Sequence, residues 1–172
     1  NGYGATSRSR LFSLSCYNSG MAERYKIIPE VFVFFVRDGK ILLARRFQTG
    51  YEDGNYGLPA GHGENGETMR QGAIREALEE VGVALAQEDM AFALVQHRWC
   101  EDPDNPHARV GFYFAPAKWS DEPRNTEPEK CDDLNWFPLD ALPDNMVPHV
   151  RAAIESYRKG ERYAEFDWES RK

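Results

Sequence analysis

The fold is decided by one stretch of sequence, GHGENGETMRQGAIREALEEVGV, which spans residues 61–83. A glycine-rich loop leads there into a predicted helix over residues 68–81. On that helix Glu76, Glu79 and Glu80 stand at i, i+3 and i+4, so the three carboxylates share one face. Because like charges this close repel each other, the pattern indicates a neutralising cation, and hard divalent ions prefer oxygen ligands.

The other features of the predicted helix are those of an element packed on a sheet. Ile74, Ala77, Leu78 and Val81 form a separate apolar face, and Gly82 is the expected C-cap. Taken alone, the acidic string would equally suit a solvated helix in which an arginine makes local ion pairs. The spacing of the whole stretch decides between these interpretations.

That spacing matches the Nudix box at eight fixed positions over 23 residues. The matching residues are Gly61, Glu67, Arg75, Glu76, Glu79, Glu80, Gly82 and Val83. The one soft departure is Ala77, a small residue where a larger aliphatic one is common. The chain therefore resembles a Nudix hydrolase, over residues 27–160.

The resemblance implies an α/β fold in which a mixed β-sheet is sandwiched between helices (α/β/α). It also implies metal-dependent hydrolysis of a nucleoside diphosphate linked to another group, X. Carried over by position, Glu79 and Glu80 are the principal metal ligands, and the backbone carbonyl of Ala60 also contacts the metal. Glu76 is a further ligand or the group that orients or deprotonates water. The expected cofactor is Mg²⁺, with Mn²⁺ able to substitute.

Three further box residues are implied to support this site. Arg75 would hold the carboxylate face of the helix in place, and Glu67 would pair with Arg75 to fix the loop on the helix. Gly61 would let the loop backbone approach closely.

A second resemblance lies downstream, where WSDEPRNTE at residues 119–127 is similar to the loop of MutT-type Nudix enzymes. In those enzymes a glutamate of this loop completes the metal site, which makes Glu127 the candidate here. Glu122 and Glu129 are rivals, and a solvated acidic loop is the alternative.

Candidate substrate contacts are less specific. Arg45 and Arg46 follow a predicted strand and could reach a phosphate, or form surface ion pairs. His97 ends another strand near the expected cleft, and Asn145 could offer its amide to a base edge, although each suits a structural role as well. His62 could face the site or cap its loop. The candidates for base stacking are Tyr51, Tyr56 and Trp99.

Local patterns predict the remaining elements. Asp38-Gly39 between two apolar runs predicts a hairpin of two antiparallel strands. Further strands are expected over residues 91–98, 109–115 and 135–138, and a last amphipathic helix over residues 148–159. Residues 1–26 are interpreted as a leader that is either vector-derived or flexible, and a transit peptide is the competing interpretation of the Arg- and Ser-rich residues 1–20. Residues 161–172 form a charged tail that either packs back or leads to a partner.

The charge and cysteine content of the chain limit the classes of ligand and partner that we expect. The 172 residues carry a net charge of −7, and because residues 1–26 hold four Lys or Arg and one Glu, residues 27–172 carry −10. A protein this acidic would repel the phosphate backbone of a nucleic-acid polymer, so such a ligand is disfavoured. Metal ions bound by the protein would still let it bind a small nucleotide. The three cysteines form no CxxC pair, and no apolar run is long enough to cross a membrane. These features favour a cytoplasmic protein, with organellar targeting by residues 1–20 as the alternative, and they are compatible with a homodimer.

The function expected first is hydrolysis of a nucleoside triphosphate, including an oxidised one, to the monophosphate and pyrophosphate. ADP-ribose, dinucleoside polyphosphates and capped RNA ends are alternative substrates. A Nudix-fold nucleotide sensor without turnover is the alternative outside the enzymes, and the intact box carboxylates argue against it.

Overall fold

The computed structural model describes residues 25–101 and 107–169, so the predicted leader lies almost wholly outside the described residues. In these two ranges the chain forms nine strands, two α-helices and one 3₁₀ turn, Gln87–Asp89. The strands are β1 (Ile28–Val33), β2 (Val36–Arg37), β3 (Lys40–Arg46), β4 (Tyr56–Gly57), β5 (Ala60–His62), β6 (Met90–Cys100), β7 (His107–Pro116), β8 (Cys131–Pro138) and β9 (Tyr163–Phe166). The helices are α1 (Met69–Val81) and α2 (Pro148–Arg158).

The larger sheet is mixed and has five strands in the order β5-β1-β7-β6-β9. Strand β1 runs antiparallel to β5 and parallel to β7, while β6 runs antiparallel to β7 and parallel to β9. The predicted strands over 91–98 and 109–115 are the centres of β6 and β7, which extend further at both ends.

The smaller sheet is built on β3, which pairs antiparallel with β2 and β4 and also with β8. The Asp38-Gly39 hairpin is confirmed, because both residues have positive φ angles, 51° and 73°. The hairpin contains only β2 and β3, however. The apolar run before it was expected to be a single strand, but the chain leaves the larger sheet after β1 and enters the smaller one at β2.

Strand β1 separates two apolar cores. Val31 and Val33 face α1, whereas Phe32 and Phe34 face α2. The predicted α/β/α arrangement of helices on both faces of a mixed sheet is thus confirmed. The apolar face of α1 differs in one residue from the prediction, since Leu78 is 53% exposed.

Residues 163–168 of the charged tail pack against the rest of the protein, which is the first of the two interpretations given for the tail above. Strand β9 pairs in register with residues 95–98 of β6, and the Trp168 indole N–H donates to the His97 carbonyl at 2.9 Å. Residues 163–168 therefore belong to the folded unit. Neither described helix is long and apolar enough to cross a membrane.

Candidate active site

Helix α1 is fixed at both ends, which sets the positions of its carboxylates. Thr68 is the N-cap, and its hydroxyl accepts from the Gln71 N–H at 3.3 Å while the Gln71 side chain accepts from the Thr68 N–H at 2.8 Å. This reciprocal pair is a capping box. At the other end Gly82 adopts the left-handed conformation, with φ of 67°.

Arg75 lies at the centre of the acidic cluster. Its guanidinium donates to both oxygens of Glu67 at 2.9 and 3.2 Å, to Glu76 at 2.7 Å and to Glu79 at 3.0 Å. A further donation, to the His62 carbonyl at 3.1 Å, ties the helix to β5. The hydrogen bonds that Arg75 donates to Glu67 raise the pKa of Arg75 and lower the pKa of Glu67. The structure thus has Arg75 and Glu67 in the supporting contacts that the sequence predicted.

Glu80 has no such cationic partner. It is partly buried and accepts one hydrogen bond, from the Ala60 N–H at 2.9 Å, and it forms no salt bridge among the described residues. The pKa of this carboxyl is raised to about 8, chiefly by desolvation on burial; the charges of Glu76 and Glu127 add to the rise, and the Ala60 hydrogen bond opposes it. The Ala60 group seen in contact is the amide, while its carbonyl as a metal ligand stays a prediction.

Glu76 lies directly against β5. A Cβ atom built on Gly61 would be 1.9 Å from Glu76 Oε1, so only glycine leaves room for this carboxylate. Burial raises the pKa of Glu76, although the neighbouring Arg75 opposes the shift.

The donor set fits a hard divalent cation. Glu76, Glu79, Glu80 and Glu127 offer oxygen only. The charges of Glu76 and Glu127 raise the pKa of Glu80, and the charge of Glu127 also raises the pKa of Glu76. As they stand, no three acidic, histidine or cysteine side chains of residues 25–101 and 107–169 converge into a complete metal site. Arg75 holds Glu76 and Glu79, so these carboxylates would exchange the guanidinium for a metal on binding one.

The three candidate glutamates of the downstream loop have different surroundings. Glu127 borders the cavity described below and pairs with Lys130 at 2.8 Å. Glu122 instead forms a two-bond ion pair with Arg37, at 2.7 and 2.9 Å, and Glu129 is exposed. Of the three, Glu127 is the one whose charge reaches Glu76 and Glu80.

Beside these carboxylates is a cavity of about 640 Å³ between the two sheets and α2. Arg45 and Arg46 both border it, as predicted for substrate contacts. Arg45 is held by Asp132 at 2.7 and 3.1 Å, and Arg46 donates to the Tyr51 carbonyl at 2.7 Å. The volume is in the range of small-molecule sites.

Two residues predicted as substrate contacts do not border this cavity. His97 lies on the opposite face of β6 from the cavity, where its ring packs 4.4 Å from that of Trp168. Asn145 donates its amide to the Gly54 carbonyl at 2.7 Å, so it connects two loops and is not among the residues that border the cavity. Both side chains thus have structural contacts, and a role for them in substrate binding stays a prediction.

Of the less specific candidates, His62 and Tyr51 border the cavity. Tyr56 is buried in the core against Phe137, and the Trp99 ring packs near Trp168.

Sequence reasoning missed Glu30, Arg98, Arg109 and His149, which also border the cavity. Burial lowers the pKa of His149, so its imidazole is neutral at pH 7. A signal for Arg98 was present: alternation along a strand places it on the opposite face from His97. Glu30 and Arg109 become neighbours only through the parallel pairing of β1 with β7, which no local pattern predicts.

Residues 26–157 match the family model of the NUDIX domain. The chain belongs to the Nudix family. Curated relatives include a NAD-capped RNA hydrolase NudC of Pseudomonas aeruginosa, 30% identical over 131 residues, and one of Chromobacterium violaceum, 32% identical over 134 residues. The alignments cover 76% and 77% of this chain but 43% and 46% of those relatives, so the chain spans less than half of their length.

Solved Nudix structures confirm the fold. A MutT NUDIX hydrolase from Burkholderia pseudomallei superposes with a TM-score of 0.67 at 32% identity, covering 76% of this chain and 97% of that one. A NUDIX hydrolase from Nitrosomonas europaea gives 0.65 at 26% identity, covering 80% and 93%. Nudix hydrolases act on pyrophosphate bonds and generally depend on divalent metal ions, so the family sets the class of chemistry.

Proposed function

We propose that this Nudix protein hydrolyses a nucleoside triphosphate, oxidised ones included, to the monophosphate and pyrophosphate with Mg²⁺. The observation that carries the proposal is Glu80, a partly buried carboxylate at the cavity that receives one amide hydrogen bond and no salt bridge from the described residues. A carboxylate in this environment is stabilised in its charged form by a cation, and the cavity beside it has room for a nucleotide.

Each group of side chains has a separate task in this proposal. Glu76, Glu79, Glu80 and Glu127 would hold the cation, with Arg75 positioning the first two. A divalent cation supplies charge neutralisation at phosphate oxygens and a lowered pKa of bound water.

Basic residues at the same cavity would bind the phosphates. Arg45 and Arg46 border it, and each is already oriented by a hydrogen bond from its guanidinium. Lys130 also borders the cavity, pairs with Glu127 and lowers the pKa of Glu80 through its charge. Oriented donors of this kind bind phosphate oxygens with less loss of entropy than free side chains do.

The test is a product assay over ordinary and oxidised nucleoside triphosphates, ADP-ribose, dinucleoside polyphosphates and NAD, with Mg²⁺, with Mn²⁺ and with chelator. We expect pyrophosphate and the nucleoside monophosphate from a triphosphate, with either metal and not with chelator. Tight binding of a member without turnover of any would reject hydrolysis in favour of a nucleotide sensor.

The names of the curated relatives support a second candidate, cleavage of a dinucleotide pyrophosphate such as NAD, free or at an RNA end. This candidate would make an RNA polymer a partner, against the expectation from net charge. The same assay separates the two: cleavage of NAD yields two mononucleotides and no pyrophosphate. NAD turnover well above that of every triphosphate would replace the first candidate with the second.

A further inference from the structure

A second group of charged side chains borders the cavity, besides the proposed metal ligands and the basic residues proposed to bind phosphate. It consists of Arg98 and Arg109 with Glu30 between them. Ala60, which contacts Glu80, pairs with Phe32, whereas both guanidinium groups reach Glu30, and Arg109 Nη1 lies 3.3 Å from His62 Nε2. Glu30 and Phe32 are two residues apart, which is about 7 Å along β1 at about 3.3 Å per residue. The guanidinium groups are therefore offset from Glu80 toward the start of β1.

The contacts of this second group hold it rigid. Arg98 Nη2 donates to both oxygens of Glu30, at 3.0 and 2.9 Å, and Arg109 Nη1 donates to the same carboxylate. The side chains of Arg98 and Glu30 are 6% and 8% exposed, and that of Arg109 is 21% exposed. Arg109 Nε also donates to His107 Nε2 at 2.8 Å, so neither guanidinium is free to turn away.

The group has more donors than its own acceptors can satisfy. Two guanidinium groups share the Glu30 carboxylate, so these three side chains together carry one net positive charge, and Glu101 is a further acidic residue at the cavity. Within residues 25–101 and 107–169, Arg98 Nε is buried and has no hydrogen-bond partner, although Arg98 borders the cavity. A buried donor left unpaired is costly, and one ion pair would suffice to join the strands. This excess of hydrogen-bond donors would suit a ligand that carries hydrogen-bond acceptors.

An aromatic side chain lies beside the same group. Tyr51 borders the cavity, and its hydroxyl is close enough for the charges of Arg98 and Glu30 to act on it. The Arg46 guanidinium carbon lies 5.3 Å from the Tyr51 ring centroid. A planar group entering this part of the cavity would thus meet both a ring and fixed donors.

We propose that Arg98 and Arg109, held by Glu30, are specificity-determining residues that donate hydrogen bonds to acceptor oxygens on a part of the substrate offset from the metal-binding carboxylates. This proposal rests on the proposed function and deepens it. The acceptors are keto oxygens of a nucleobase or phosphate oxygens of the group X. Keto bases are then preferred over amino bases, because an amino group presents a donor to donors.

The test measures binding by calorimetry with chelator present, so that it does not depend on turnover. The ligands are IMP and AMP, which differ in the keto or amino group at C6 and the accompanying N1 proton, and inorganic tripolyphosphate. The variants are Arg109→Gln and Arg98→Lys, which keeps the charge and loses the Nε donor. Arg37→Lys is the matched control, since Arg37 pairs with Glu122 away from the cavity.

We expect wild type to bind IMP more tightly than AMP, and both variants to reduce that ratio about tenfold while Arg37→Lys leaves it unchanged. An unchanged ratio with weaker tripolyphosphate binding assigns the acceptors to phosphate. If both variants bind all three ligands as wild type does, the proposal is overturned.

Two design choices keep the result interpretable. Arg109 is the less buried of the two arginines, so Arg109→Gln tests the proposal even if Arg98→Lys fails to fold. A wild-type protein that discriminates IMP from AMP but hydrolyses no substrate would reject the proposed function and keep this subsite.

Discussion

At the scale of single residues, the shifted pKa of Glu80 makes the stability of the metal-free protein depend on pH. Its carboxyl has an ordinary pKa of 4.5 and a folded-state pKa of about 8. Between these values the folded protein keeps a proton that the unfolded chain has released. The free energy of unfolding of the metal-free protein therefore loses a contribution from Glu80 as pH rises from about 4.5 to 8.

The variant Glu80→Gln removes this dependence. We expect the stability of the metal-free variant relative to wild type to increase between pH 5 and pH 9, by on the order of a few kcal/mol, since one pKa unit is worth about 1.4 kcal/mol. Urea unfolding at a series of pH values measures it. Added Mg²⁺ should stabilise wild type at pH 8 and have little effect on the variant. A stability difference that stays constant with pH would contradict the assigned shift.

Activity should depend on the same carboxylates. Glu79→Gln and Glu80→Gln each replace a proposed metal ligand by a neutral group, so we expect each to cost several kcal/mol of transition-state stabilisation in kcat/KM with the fold intact. Glu127→Gln should be milder. Glu122→Gln is the matched control, because Glu122 pairs with Arg37 away from the cavity. Persistent activity in both box variants would show the metal-site assignment to be wrong.

Gly61 tests how closely β5 and α1 must approach. In Gly61→Ala the new Cβ would overlap Glu76 Oε1, so the carboxylate has to turn away. We expect Mg²⁺ affinity to fall about 10- to 100-fold, as for other residues that position a metal ligand, with a small change in Tm. The control is Gly57→Ala, whose Cβ would meet its nearest atom, Val147 Cγ2, at 3.9 Å. Equal Mg²⁺ affinities of the two variants would refute the steric argument.

At the scale of elements, the caps of α1 contribute stability apart from the chemistry. Thr68→Ala removes the hydroxyl that accepts from Gln71, and we expect a loss of about 1 kcal/mol in the free energy of unfolding. Urea titration measures the loss, and kcat/KM should change little because the carboxylates lie at the other end of the helix. A fall in kcat/KM comparable with that of Glu80→Gln would mean that the cap positions the site directly.

The elements that the sequence predicted well are those with local signals. The bounds of α1 follow from Thr68 and Gly82, and the β2–β3 turn follows from Asp38-Gly39. The Nudix box gave the carboxylates and their Arg75 and Glu67 supports. Such features depend on residues a few positions apart, so they can be predicted from a single sequence.

Features that depend on distant pairing were not predictable. The change of sheet after β1 and the Glu30–Arg98–Arg109 group arise from strands that are far apart in the chain. The position of His97 at a strand end does not say which face of the sheet the cavity adjoins. The Arg37–Glu122 pair, which distinguishes the surroundings of Glu122 from those of Glu127, joins residues 85 positions apart.

At the scale of the whole molecule, the C-terminal strand should contribute to stability although the matched family region ends at residue 157. Truncation after Gly160 removes β9, its pairing with β6 and the Trp168 contact with His97. We expect the Tm to fall by several degrees in a calorimetric scan. Truncation after Glu169 is the control and should leave the Tm unchanged. Equal melting of both truncated proteins and wild type would show that β9 contributes nothing.

Strand β1 also limits how this protein can change in evolution. Its odd-numbered residues Val31 and Val33 fill one core, and its even-numbered residues Glu30 and Phe32 border the cavity on the other face. Insertion or deletion of a single residue within the strand would exchange these two sets, placing a valine where the arginines need a carboxylate and a glutamate in an apolar core. Related sequences should therefore vary in length in the segments after β3 and β6, while the number of residues between Glu30 and the β2–β3 turn stays constant.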